Sequence, residues 1–356
     1  MALRWIDSFD NIRLASGATT ALLSKYDPAE SAATIFLSDA PGGLTARTGA
    51  DAIGLATGEK LITKTLPVSG TTAILGVAIY VPAGSLTTAQ VVPIVGVHEG
   101  STFHFGVGID YSGGFGTAFK LTALRGTTVL ATTTATFPAN SWLYVELKVL
   151  VHASAGTYEV HVDGTSVLSA TGVQTSNGGT AVWDRARLGS VWTGALLMHF
   201  DDFYVCDGST AARNDFLGPQ KVESVRMVPG NGTYHAWTPS VGTDHGANVD
   251  ETAPDGDTTY NAASAAAKDS YLHSALTLTG AINGVQVNPY WRKTDTGACT
   301  ARTLIRASSA DYPGATQSPL TTYSVMPDVV EKNPATTADW TASAFNAAEF
   351  GAERLT

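Results

Sequence analysis

Residues 142–168 read WLYVELKVLVHASAGTYEVHVDGTSVL. Leu143, Val145, Leu147 and Val149 take every second position, with Trp142, Tyr144, Glu146 and Lys148 between them. Successive side chains of a strand point to opposite faces, so this period of two predicts a strand with one apolar face. Tyr158, Val160 and Val162 alternate with Glu159 and His161 in the same way, and Asp163-Gly164 separates them from Ser166–Leu168. Asp-Gly between two β runs is a strong hairpin signal, because both central residues of the tight turn need positive φ.

The pattern repeats on either side. Leu75, Val77, Ile79 and Val81 alternate with Gly76, Ala78 and Tyr80, and Phe103, Phe105, Val107 and Ile109 alternate with His104, Gly106, Gly108 and Asp110. Gly113-Gly114 and Asn177-Gly178-Gly179 mark loops. No long 3.6-residue apolar repeat occurs here, so short strands with Gly-rich turns predict an antiparallel sandwich or barrel. A length of 356 residues fits two domains. Asp207-Gly208-Ser209-Thr210 reads as a terminating turn, giving domains over 1–208 and 209–356. In the second, Val222–Val228, Leu276–Leu278, Gly284–Val287 and Thr303–Ala307 are expected as strands and Trp340–Ala348 as a short helix. Asn261–Asp269 reads equally as one helical turn or an extended loop. The expected fold class is all-β: two β-sandwich, jelly-roll-like domains.

The order of features in the first domain carries a resemblance. Asp7-Ser8-Phe9-Asp10 opens it, the Trp142-led strand and the Asp163-Gly164 hairpin follow, and Arg187-Leu188-Gly189 and Phe200-Asp201-Asp202-Phe203-Tyr204-Val205 close it. This resembles the concanavalin A-like, laminin-G-like jelly roll over about residues 5–207. The resemblance implies that the closing strand pairs back with the first, and that Asp201 and Asp202 hold neighbouring turns by accepting backbone N–H bonds. The second half has Gly230-Asn231-Gly232, Trp237-Thr238-Pro239, an acidic stretch from Asp250 to Asp257, Asp339-Trp340-Thr341 and Glu349-Phe350-Gly351. It resembles the C-terminal half of tailed-bacteriophage structural proteins. That implies a virion component of tail, fibre or spike type, made in the bacterial cytoplasm, with other virion proteins as partners and a homo-oligomer, such as a trimer, as the assembled state.

Composition narrows the partners. Charged residues are 15% of the chain and the net charge is −10. No Lys/Arg cluster is present, which argues against nucleic acid. No apolar run approaches a span of about 20 residues, and the start, MALRWID, lacks a secretory pattern, so neither membrane insertion nor secretion is expected. Cys206 and Cys299 are expected as free thiols.

Chemistry is sparse. The Glu-x-Asp-x-x-Glu pattern that sets two carboxylates on one strand face is absent, as are a Ser elbow, a phosphate loop and His-Glu-x-x-His. Glu159, His161 and Asp163 share a face and read as a solvated hairpin edge. No cofactor is called for. Calcium is the one cation the carboxylates raise, at Asp201-Asp202 or in the loop of Asp250, Glu251, Asp255 and Asp257. The expectation is therefore a protein that is not an enzyme and that works through assembly interfaces and host attachment. The alternative is a glycan-binding module that recognises host polysaccharide through Trp183 and Trp192, which serve otherwise as core or interface residues; a polysaccharide-degrading enzyme is the weaker alternative.

Overall fold

The computed structural model describes residues 2–10, 24–27, 36–37, 45–49, 52–56, 59–68, 70–83, 90–112, 116–178, 180–189 and 197–356. It is nearly all β, with several sheets in sandwich-like arrangements. Two compact units divide at Val222/Glu223: Met1–Phe9 with Tyr26–Val222, and Asp10–Lys25 with Glu223–Thr356.

The first unit contains β1 (Leu3–Asp7), β2 (Phe36–Leu37), β3 (Ile53–Ala56), β4 (Lys60–Ile62), β5 (Thr72–Tyr80), β6 (Val91–Glu99), β7 (Thr102–Asp110) and β8 (Ala118–Arg125). It continues with β9 (Thr128–Thr132), β10 (Phe137–Pro138), β11 (Trp142–Leu150), β12 (Gly156–Val162), β13 (Thr165–Val173), β14 (Arg185–Gly189) and β15 (Leu197–Cys206). An eight-stranded sheet runs β13-β12-β11-β5-β15-β3-β2, with β1 also paired to β15. A seven-stranded sheet runs β10-β8-β7-β6-β14-β4, with β9 on β8. All the pairings are antiparallel.

The apolar alternation sets which face points inward. Leu75, Val77 and Ile79 of β5 and Val145, Leu147 and Val149 of β11 are buried, as are Val107, Ile109 and Leu121 of the other sheet. Phe105 meets Tyr158 with ring centroids 5.0 Å apart. Each such side chain taken fully from water contributes about 1.5–3 kcal/mol. The Asp163-Gly164 turn has φ of 48° and 79°, as the hairpin signal requires. β12 alternates buried and half-buried along its length, but β11 is buried on both faces over Leu143–Leu147. Periodicity does not foresee that second burial, which comes from a distant segment of the chain.

The second unit is built of small sheets. β16 (Thr238–Pro239) pairs with β17 (Asn261–Ala262), and after β18 (Ala267–Tyr271) come β19 (Val285–Val287), β20 (Tyr290–Trp291), β21 (Ala301–Ala307), β22 (Ala310–Pro313), β23 (Ser324–Val325), β24 (Asp328–Val330) and β25 (Glu349–Arg354). The order β18-β25-β21-β22 makes a four-stranded sheet, while β19 pairs with β24 and β20 with β23. Trp340, Phe345, Phe350 and Ile305 form the centre of its core. The expected helix is α1 (Ala342–Asn346), capped by the Thr341 side chain, which accepts from the Ala344 N–H.

Two expected strands are not strands. In Val222–Val228 only Met227 makes a bridge, to His273. In Leu276–Leu278 the backbone N–H groups go to side chains, Leu276 to Asn346 and Leu278 to Glu223, so no ladder is left to form. The Ala-rich Asn261–Asp269 forms neither a helical turn nor only a loop: it supplies β17 and the start of β18, because pairing with β25 outweighs alanine's helix propensity.

Candidate functional site

The outer face of the eight-stranded sheet concentrates polar chemistry. One cross-strand row is Tyr204, Gly76, Glu146 and His161, on β15, β5, β11 and β12. Gly76 matters here: a Cβ at this position would overlap the Tyr204 ring. With glycine, that ring lies across β5 and its hydroxyl donates to Glu146 Oε1 at 2.6 Å.

Residues 213–222 lie over this row. Gly218 N–H donates to Glu146 Oε1 at 2.9 Å, Leu217 N–H to the Tyr204 hydroxyl at 3.2 Å, and Phe216 stacks on His161 at 3.9 Å. Lys148 pairs with Asp215 at 3.1 Å. This covering segment buries the second face of β11. The face expected to be solvated is therefore largely roofed: Glu146 is fully buried and His161 is packed under Phe216, while Glu159 bonds His161 at 2.8 Å.

Burial raises the Glu146 carboxyl above the usual carboxylate range, opposed by the bonds from Tyr204 and Gly218 and by the nearby His161. A carboxyl whose folded pKa lies above its unfolded value favours the folded state most below about pH 4.3, and that contribution falls as pH rises through the folded value. Glu146→Gln should thus match the wild type in thermal stability near pH 4 and exceed it at pH 7–8. Melting curves across that range check this; a variant that loses ground to wild type as pH rises contradicts it.

A second row crosses the same face at the other end of these strands. Trp142 of β11 pairs with Tyr80 of β5, and Tyr80 with His199 of β15. The Trp142 and Tyr80 rings are 5.6 Å apart, and those of Tyr80 and His199 6.0 Å. Trp142 and Tyr80 are half-buried. The Trp142 indole is held by donating to Thr45 O at 3.1 Å. Burial lowers the His199 pKa, so its imidazole is neutral at pH 7, and its Nδ1 has no hydrogen-bond partner.

Of the aromatics expected to contact a glycan, Trp183 is 1% exposed and its indole donates to Thr72 O at 3.1 Å. It packs in the core, out of reach of any ligand. Trp192 lies outside the described residues. Asp201 accepts the Arg47 and Thr48 N–H groups at 2.9 and 3.0 Å. Asp202, at φ 52°, accepts from Val222 N–H, the Thr48 hydroxyl and the Arg47 guanidinium. Their oxygens are thus engaged by the protein. In the acidic loop Asp257 pairs with Arg292 at 2.8 Å, and the Thr259 hydroxyl lies within reach of both Glu251 and Asp255, donating to one of them at a time. Among the described residues no group of three or more His, Cys, Asp and Glu is placed to hold a metal ion. Neither Cys206 nor Cys299 is in a disulfide.

Sequence reasoning missed the Glu146–Tyr204 bond, the Trp142–Tyr80–His199 row and, in the second unit, a buried His245–Asp269–Tyr271 chain with contacts of 2.9 and 2.8 Å. Their members lie far apart in sequence; the one available signal was the odd glycine at 76 inside an apolar strand.

No family model and no curated protein matches the chain. Among solved structures, an endo-β-1,4-glucuronan lyase from the fungus Trichoderma reesei is 15% identical, with a TM-score of 0.39 over 54% of this chain and 92% of its own. Alginate lyase Aly36B is 12% identical, TM-score 0.37, over 58% and 95%. Trypanosoma rangeli sialidase is 14% identical, TM-score 0.32, over 44% of this chain and 25% of its own. All three carry the names of enzymes, against the expectation of a protein that is not an enzyme, and that expectation is withdrawn. At these identities and TM-scores no residue, substrate or reaction is carried over to this chain.

Proposed function

We propose that the protein recognises a glycan on the outer face of the eight-stranded sheet. The observation that supports this reading is the row of Trp142, Tyr80 and His199 on three adjacent strands. Aromatic rings offer apolar faces to the C–H side of a sugar; Trp142 and Tyr80 are half-buried and present theirs, while His199 is buried beside Tyr80 and backs the row. The row sits on paired strands, so little ordering entropy is lost on binding. The Trp142 and Tyr80 rings, 5.6 Å apart and tilted by 56°, make the contact surface.

A glycan array with the full chain, followed by titration of the best ligand, tests the proposal. Trp142→Ala and Tyr80→Ala should each weaken binding about tenfold, roughly 1.4 kcal/mol. Separation of the bound glycan after incubation reads whether it is also cut. Unchanged affinity in both variants would place the ligand elsewhere.

A further inference from the structure

Arg187 lies on β14, on the outer face of the seven-stranded sheet, opposite Gly96 of β6, which in turn faces Gly106 of β7. A Cβ at either glycine would overlap the Phe103 ring. The two glycines therefore let Phe103 lie flat on the backbone, and the Arg187 guanidinium stacks over that ring at 3.9 Å. His98 flanks the same ring at 5.2 Å.

Arg187 is 3% exposed, yet its Nε and Nη2 have no hydrogen-bond partner. Arg185, two residues away on the same face, also has an Nε without a hydrogen-bond partner, but its charge is paired, Nη1 lying 2.6 Å from Asp27. A buried cation without an anion is costly, and stacking on a ring offsets only part of that cost. Burial pushes Arg187 down to about 9, which leaves it charged at pH 7. His98 is pushed down to about 3, by burial first and then by the Arg187 and Lys60 charges, so it is neutral there.

We propose that the outer face of the seven-stranded sheet carries a binding site for a carboxylate-bearing ligand, anchored by the side-on edge of Arg187. The free atoms, Nε and Nη2, form one edge of the guanidinium, and that fork matches the two oxygens of a carboxylate. His98 beside the ring is neutral, and the Lys60 charge that acts on it adds to the pull of Arg187 on an anion. The stack on Phe103 fixes the fork before the ligand arrives. This site lies on the opposite sheet from the aromatic row and does not depend on it.

The test is titration of the full chain with D-glucuronate, D-glucose and inorganic phosphate, read by the Arg187 Nε–H signal in nitrogen-15 spectra and by melting temperature. Glucuronate should shift that signal and raise Tm, while glucose leaves both unchanged and phosphate binds at least tenfold more weakly. Arg187→Met should fold with an unchanged or higher Tm and lose the glucuronate response. Arg187→Lys, which keeps the charge and loses the fork, should weaken glucuronate at least tenfold. No response to glucuronate, an equal response to glucose, tighter binding of phosphate, or a full response in Arg187→Lys would each overturn the proposal.

Discussion

Asp201→Ala is expected to destabilise the first unit by about 3–5 kcal/mol, the scale for removing one partner of a buried charged network. The Asp201 carboxylate is fully buried and accepts three backbone N–H groups, those of Arg47, Thr48 and Asp202. Alanine leaves all three without that acceptor, and an orphaned buried donor costs its desolvation outright. Urea unfolding followed by tryptophan fluorescence measures the loss, and a change below about 1 kcal/mol would show that the turn holds without the carboxylate. The effect should reach the aromatic row as well. Thr45 O, just before that turn, holds the Trp142 indole, so the folded fraction of Asp201→Ala should bind glycan more weakly than wild type.

Trp183→Ala should cost about 3–5 kcal/mol, the usual range for emptying a large aromatic site in a core. The indole is buried and also donates to Thr72 O, which would lose that donor. Trp142→Ala should show the opposite profile, with a stability loss of less than half that of Trp183→Ala and a clear loss of binding, because Trp142 is only half-buried. Calorimetric melts of the two variants, each paired with a binding titration, separate a core tryptophan from a contact tryptophan. Equal stability losses in the two would contradict that division.

The strands of the first unit were legible because their signal is local. Alternation along Trp142–Leu150 and the Asp163-Gly164 turn depend on neighbours in sequence, whereas the pairing of β1 with β15 was expected only from the resemblance to the jelly roll. What covers a face is not local. Glu146 reads as solvated until residues 213–222 are placed over it. The same limit hid Arg187, whose stack depends on glycines at 96 and 106 and a ring from 103. In the second unit the strands are two to seven residues long, and backbone groups often bond to side chains such as Glu223, so periodicity had little to report.

The most direct test of the glycan reading is a calorimetric titration of the best array ligand into wild type, Trp142→Ala and Trp183→Phe. Binding retained in wild type and Trp183→Phe, and weakened about tenfold in Trp142→Ala, is the predicted result. Full affinity in Trp142→Ala, or loss of affinity in a folded Trp183→Phe, would contradict it.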